Sequence, residues 1–147
     1  MTPQLSKGCE KVAVYYRSNR ALAGLDTGAL SEDVEQWSRE NHLSFEVQYT
    51  LQLTIEELVT NIVKYGIRTE SEPAVDIEIR EENGEVTLTI SDNTAAFDPI
   101  ATKDPDITRP AEEREIGGLG LFLIRKKAAS IDYEFKNGLN TVSVVFR

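Results

Sequence analysis

Between Ser44 and Gly66 the apolar residues recur at helical spacing, and no other stretch restricts the fold as strongly. At about 100° per residue, Leu51, Ile55, Leu58, Val59 and Ile62 fall within an arc of about 100°, the width of a stripe that has to be buried. The spacing predicts a helix over 44–65 with Gly66 as its C-terminal stop. Glu57 and Asn61 stand off that stripe. They lie one turn apart on a separate face with Tyr65 a turn further, so a carboxylate, an amide and a phenol are expected to share one space. That space is the candidate active site. For Glu57 or Asn61 alone, the alternative is a solvated polar face.

A helix buried along one side needs a second layer, and the flanking sequence supplies strands. Residues 11–16 are β-branched and aromatic and read as the first strand, with a short helical piece around 20–23. Leu30, Val34 and Trp37 repeat behind Ser31, with Glu32 and Asp33 expected in the first turn of a helix that ends near Asn41 and His42. Residues 74–80 alternate, with Val75, Ile77 and Ile79 on one face, and Asn83-Gly84 is a hairpin signal leading into a returning strand over 85–91. A third helix is expected over 118–129, with Leu121, Ile124 and Ala128 facing inward. A second hairpin follows, with strands over 131–136 and 141–146 around Asn137-Gly138. The expected fold is α+β, a two-layer sandwich in which a mixed, mostly antiparallel sheet is backed by about three helices.

The stretch 93–117 breaks every period and holds Pro99, Pro105 and Pro110. A loop that long inside a compact domain tends to be a binding loop or lid, and it is read here as a lid. Residues 1–9 carry no pattern and are expected to be a loose leader. One domain over 1–147 is expected, large enough to remove about 68–70% of its unfolded surface from water.

A net charge of −9 argues against direct binding of nucleic acid, whose phosphates are held by clustered Lys and Arg. A neutral or basic protein partner suits it better. No run approaches the roughly 18 apolar residues of a membrane span, so a cytoplasmic chain without membrane contact is expected. Cys9 is the single cysteine, which excludes an internal disulfide and a cysteine metal cluster.

Gly117, Gly118 and Gly120 sit at a loop-to-helix junction, where exposed N–H groups and the helix dipole favour phosphate and glycine allows close approach. The alternative is a tight turn with a helix start. Asp92 ends a strand and can accept from the exocyclic amine of a purine; a strand-end aspartate is also a common turn former. The Asn61 amide suits Mg²⁺, which keeps several waters and takes its other ligands from phosphates. Glu57, a turn earlier, can accept the proton of an attacking hydroxyl. Arg109 and Arg114 lie in the lid, where an arginine can swing onto a terminal phosphate or stay solvated. His42, the only histidine, reads as a surface or half-buried residue.

Taken in order, Glu57-Leu58-Val59-Thr60-Asn61-Ile62-Val63-Lys64-Tyr65, then Ser91-Asp92-Asn93-Thr94-Ala95-Ala96-Phe97-Asp98-Pro99, then Glu115-Ile116-Gly117-Gly118-Leu119-Gly120-Leu121 resemble the asparagine box and two glycine boxes of the GHKL (Bergerat-fold) ATPases. Within that superfamily the chain resembles the stand-alone anti-sigma-factor serine/threonine kinases of bacteria, over residues 10–147. The resemblance implies a kinase that uses ATP and Mg²⁺. It implies Glu57 as general base, Asn61 as the Mg²⁺ ligand and Asp92 as the reader of adenine. It also implies nucleotide contacts from Phe97, Arg114, Gly117, Gly118, Leu119, Gly120 and Leu121, and Thr141 as the threonine that helps hold adenine through water. The implied partners are a STAS-type anti-sigma factor antagonist, phosphorylated on serine or threonine, and a sigma factor; a homodimer is also implied as possible. One position departs from the pattern: Thr94 stands where the first glycine box usually has glycine, and a β-branched residue there adds bulk beneath the base and disfavours positive φ. A nucleotide-sensing or catalytically weak binding switch is therefore the alternative to a kinase.

Overall fold

A computed structural model describes residues 12–101 and 119–147, Leu119 through its backbone alone. The leader over 1–9, Arg109, Arg114, Gly117, Gly118 and most of the expected lid lie outside the described residues. In chain order the elements are β1 (Val14–Ala21), α1 (Thr27–Glu40), α2 (Phe45–Tyr65), β2 (Ala74–Glu82), β3 (Glu85–Asp92), α3 (Leu119–Lys127), β4 (Ser130–Lys136) and β5 (Leu139–Phe146). The strands form one sheet in the order β1-β2-β3-β5-β4, and every described pairing is antiparallel. The expectation of a mixed sheet is refined accordingly, while the two-layer α+β sandwich with three helices holds.

Period-2 alternation decides which strand residues meet the helices. Val75, Ile77 and Ile79 of β2, Val86, Leu88 and Ile90 of β3, and Val142, Val144 and Phe146 of β5 all face inward and are buried. They pack against Leu51, Ile55, Leu58 and Val59 of α2, Leu30 and Val34 of α1, and Ile124 of α3. Burying each such side chain contributes about 1.5–3 kcal/mol. Both hairpins use the turn their sequence announces: Asn83 and Gly84 have φ of 52° and 82°, and Asn137 and Gly138 have 54° and 76°, the paired positive angles that match the twist of the strands.

Two local expectations are corrected. Residues 20–21 are strand, not helix, because Arg20 and Ala21 pair with Val75 and Ala74, a non-local contact that outweighs local preference. Helix α1 begins at Thr27 rather than after Ser31; Asp26 is its N-cap, its carboxylate accepting from the Ala29 N–H at 3.0 Å. Ser31 instead faces α2, where its hydroxyl donates to Gln52 Oε1 and its carbonyl accepts from Gln52 Nε2 at 3.0 Å. Gly66 does end α2, but not by a left-handed turn: its φ is −64°. What excludes a side chain is proximity, since a Cβ on Gly66 would lie 2.5 Å from the Ile62 carbonyl oxygen and 3.0 Å from Thr94 Cγ2. Gly66→Ala is therefore expected to cost about 1–3 kcal/mol, the range of an overpacked site. Denaturant unfolding checks this, and an unchanged midpoint would contradict it.

Candidate nucleotide site

The inward face of β3 runs Val86, Leu88, Ile90 and then Asp92, so the alternation that builds the core delivers a carboxylate, only 6% exposed, at the strand's end. On the paired strand β5 the same face runs back from Val144 and Val142 to Asn140, which lies directly opposite Asp92. Above these polar residues α2 presents Leu58, Asn61 and Ile62. Together with Gly66, Ile90, Thr94, Phe97, Pro99 and Val142 they line a narrow recess. Its walls are chiefly apolar and its polar atoms few and convergent, the composition of a small-molecule site.

Asp92 uses its two oxygens differently. Oδ1 accepts from the Thr94 N–H at 3.0 Å, the Thr94 hydroxyl at 2.5 Å and Asn140 Nδ2 at 3.1 Å. Oδ2 has no donor among the described residues. Asn140 is the hub of the cluster: its Oδ1 accepts from the Phe97 N–H at 3.0 Å and the Tyr133 hydroxyl at 2.6 Å, while its Nδ2 also donates to the carbonyls of Thr94 and Ala95 at 3.2 and 3.0 Å. The reversed amide would set donor against donor at Phe97 and acceptor against acceptor at Ala95, so these partners fix its orientation. Burial, with the nearby negative charge of Asp98 and Asp92, raises the pKa of the Tyr133 phenol, which stays a neutral donor. The first residues of the expected lid, 94–97, are thus pinned to the end of β5.

Glu57 and Asn61 stand half-buried on α2, and neither side chain has a hydrogen bond among the described residues. The backbone of α3 reaches Glu57 from the other side: a Cβ on Gly120 would lie 2.7 Å from Glu57 Oε2 and 2.9 Å from its Cδ. Helix α2 and the start of α3 at Gly120 therefore meet at Glu57. Lys127 Nζ lies 3.3 Å from Glu46 Oε1, so α2 and α3 pack antiparallel along this seam.

The structure brings Glu57 against Gly120 and sets Asn61, Asp92 and Phe97 around the recess. Leu121 is buried. Thr141 is not brought there. It sits on the opposite face of the sheet, with its Oγ1 3.1 Å from Ser91 Oγ, and its neighbour Asn140 is the residue that lines the recess. The signal was present in the sequence, because alternation counted back from Phe146, Val144 and Val142 selects Asn140. Tyr65 is also placed differently from expectation: 59% of it is exposed and it does not line the recess. Thr94 takes no positive φ, so the backbone strain expected from a β-branched residue there does not arise. Its bulk lies against Gly66 and its hydroxyl on Asp92.

The oxygen set suits a hard cation shared with phosphate. Among the described residues no three His, Cys, Asp or Glu side chains gather into a metal cluster, while the Asn61 amide stands unpartnered beside the recess. One protein oxygen completed by phosphates and water is the habit of Mg²⁺. The residues present fit it.

An inward acid at a strand end, an apolar slot and a helix whose amide and carboxylate have no hydrogen bond among the described residues come together in one α+β domain. The chain belongs to the histidine kinase-like ATPase domain family, which it matches over residues 22–146. It is 29% identical over 111 residues to the serine/threonine-protein kinase BtrW of Bordetella bronchiseptica, covering 76% of this chain and 78% of that one. It is 29% identical over 103 residues to the serine-protein kinase RsbW of Listeria monocytogenes, and 28% identical to that of Listeria innocua. Each of these Listeria matches covers 67% of this chain and 66% of the relative. The GHKL resemblance read from the three motifs is borne out. Among the described residues no helix is long and apolar enough to cross a membrane.

Proposed function

We propose that the protein is an ATP-dependent serine/threonine kinase that doubles as an anti-sigma factor, phosphorylating a small STAS-type antagonist and sequestering a sigma factor. The observation that carries this reading is the meeting of Glu57 with Gly120, beside a recess bordered by Asn61 and floored by Asp92. A base, a metal-binding amide and a purine reader are then contiguous. Asp92 Oδ2 would accept the adenine amine, and the apolar walls formed by Ile62, Ile90 and Val142 would cover the base. Asn61 would hold Mg²⁺, which when bound neutralises charge on the phosphates. Arg114 and the glycines 117 and 118 would contact phosphate. Glu57, with no competing hydrogen bond among the described residues, would orient the acceptor serine hydroxyl and take its proton. The relatives named as serine and serine/threonine protein kinases support the acceptor class.

The test is transfer itself. Incubating the protein with Mg·ATP and a candidate antagonist is expected to give phosphoserine or phosphothreonine on the antagonist. Tight partner binding with nucleotide bound and no phosphoryl transfer would overturn the kinase in favour of a binding switch. Asp92→Ala is expected to weaken ATP binding by about 10- to 100-fold, the loss expected for a hydrogen bond to a charged group in an apolar site. Calorimetric titration reads this directly, and wild-type affinity in the variant would remove Asp92 from the site.

A further inference from the structure

We infer that Thr94 and Asn140 are positioning residues that make Asp92 selective for a 6-aminopurine over a 6-oxopurine. The inference rests on the recess being the adenine site. A free carboxylate can rotate and offer either oxygen. Here Oδ1 is held by three donors, two from Thr94 and one from Asn140, so the side-chain rotation is fixed and Oδ2 is the oxygen left to a ligand. An ionised carboxylate accepts and cannot donate. Presented in one fixed place, Oδ2 attracts the N–H of an exocyclic amine and repels the carbonyl oxygen that guanine carries at the same position.

The two residues act as one device. Asn140, 3% exposed, spends its amide hydrogens on Asp92 and on the carbonyls of Thr94 and Ala95, and so holds the segment that carries the Thr94 hydroxyl. Tyr133 and the Phe97 N–H hold Asn140 from its other end. Thr94, 3% exposed, is therefore not merely added bulk at a position where glycine was expected: its hydroxyl supplies one of the three bonds that aim the carboxylate.

Calorimetric titration with ADP and with GDP, for the wild type and for Thr94→Val, Thr94→Ser and Asn140→Asp, tests the inference. The wild type is expected to prefer ADP. Thr94→Val keeps the shape and loses the hydroxyl donor; its ADP affinity is expected to fall about tenfold, as for a lost hydrogen bond to a charged group, while its weak GDP binding stays unchanged. Thr94→Ser, which keeps the donor, is expected to restore the wild-type ratio. Asn140→Asp sets acceptors against Asp92 and the two carbonyls and is expected to lose the ADP preference further. A purely structural role would lower both nucleotides together and leave their ratio alone. An unchanged ADP to GDP ratio in Thr94→Val would overturn the inference while leaving the adenine site intact. A wild type that binds neither nucleotide would overturn the site itself. Thr94→Val is near-isosteric, so the result stands even if Asn140→Asp fails to fold.

Discussion

Glu57→Ala is expected to lower phosphoryl transfer by about 10²–10⁴-fold, the contribution of a positioned general base, while ATP affinity stays within about threefold of the wild type. The separation follows from where Glu57 stands. It is not among the residues lining the recess, so its loss leaves the walls around the base in place. It has no ion pair or hydrogen bond among the described residues, so no buried partner is orphaned and the fold should tolerate the change. Glu57→Gln keeps the shape and removes only the proton-accepting charge. Equal losses in the two variants would assign the effect to the base, read as single-turnover transfer to a serine acceptor. Loss of ATP affinity in step with transfer would make Glu57 a binding residue instead.

Gly120→Ala is the second large effect, and it acts on Glu57 through space. The added methyl would lie 2.7 Å from Glu57 Oε2, closer than atoms can remain. What must give way is the far end of a flexible side chain rather than backbone, so the strain is relieved by moving the carboxylate. Alanine is also a better helix former than glycine, and Gly120 is the second residue of α3. The unfolding midpoint is therefore expected to hold or rise while transfer falls about 100-fold, the scale for a displacement of about 1 Å in a catalytic group. The Glu57→Ala/Gly120→Ala double variant should be no slower than Glu57→Ala alone, because both changes remove the same function. Additive losses would show that Gly120 matters for another reason, such as phosphate approach.

What was legible in the sequence was local. The helix over 44–65 and both Asn-Gly hairpins depend on residues a few positions apart, and each formed where its pattern predicted. Asp92 was legible for a similar reason, since an alternating strand that ends in an acid has to aim it somewhere. The start of α1 was misplaced because Ser31 resembles an N-cap; Asp26 is the cap, and only Gln52, 21 residues beyond Ser31, shows that Ser31 serves the α1–α2 contact. Strand β1 outran its expected length because its last residues are held by β2, some fifty positions away. Gly66 was legible as a stop, and the structure adds why a side chain is excluded there: a carbonyl is in the way. Asn140 was missed because the family pattern drew attention to Thr141, although strand alternation pointed one residue earlier. The groups that hydrogen-bond to it come from two separate segments, residues 92–97 and Tyr133, a convergence that no single stretch of sequence displays.

Calorimetric titration of the protein and of Asn61→Ala with ATP, each with and without Mg²⁺, tests most directly whether Asn61 and Asp92 border a single adenine nucleotide. Mg²⁺ is expected to tighten ATP binding to the wild type, and Asn61→Ala to lose that gain while keeping the metal-free affinity set by Asp92 and the apolar walls. ATP binding to the wild type that ignores Mg²⁺, or a Mg²⁺ gain that survives in Asn61→Ala, would contradict it.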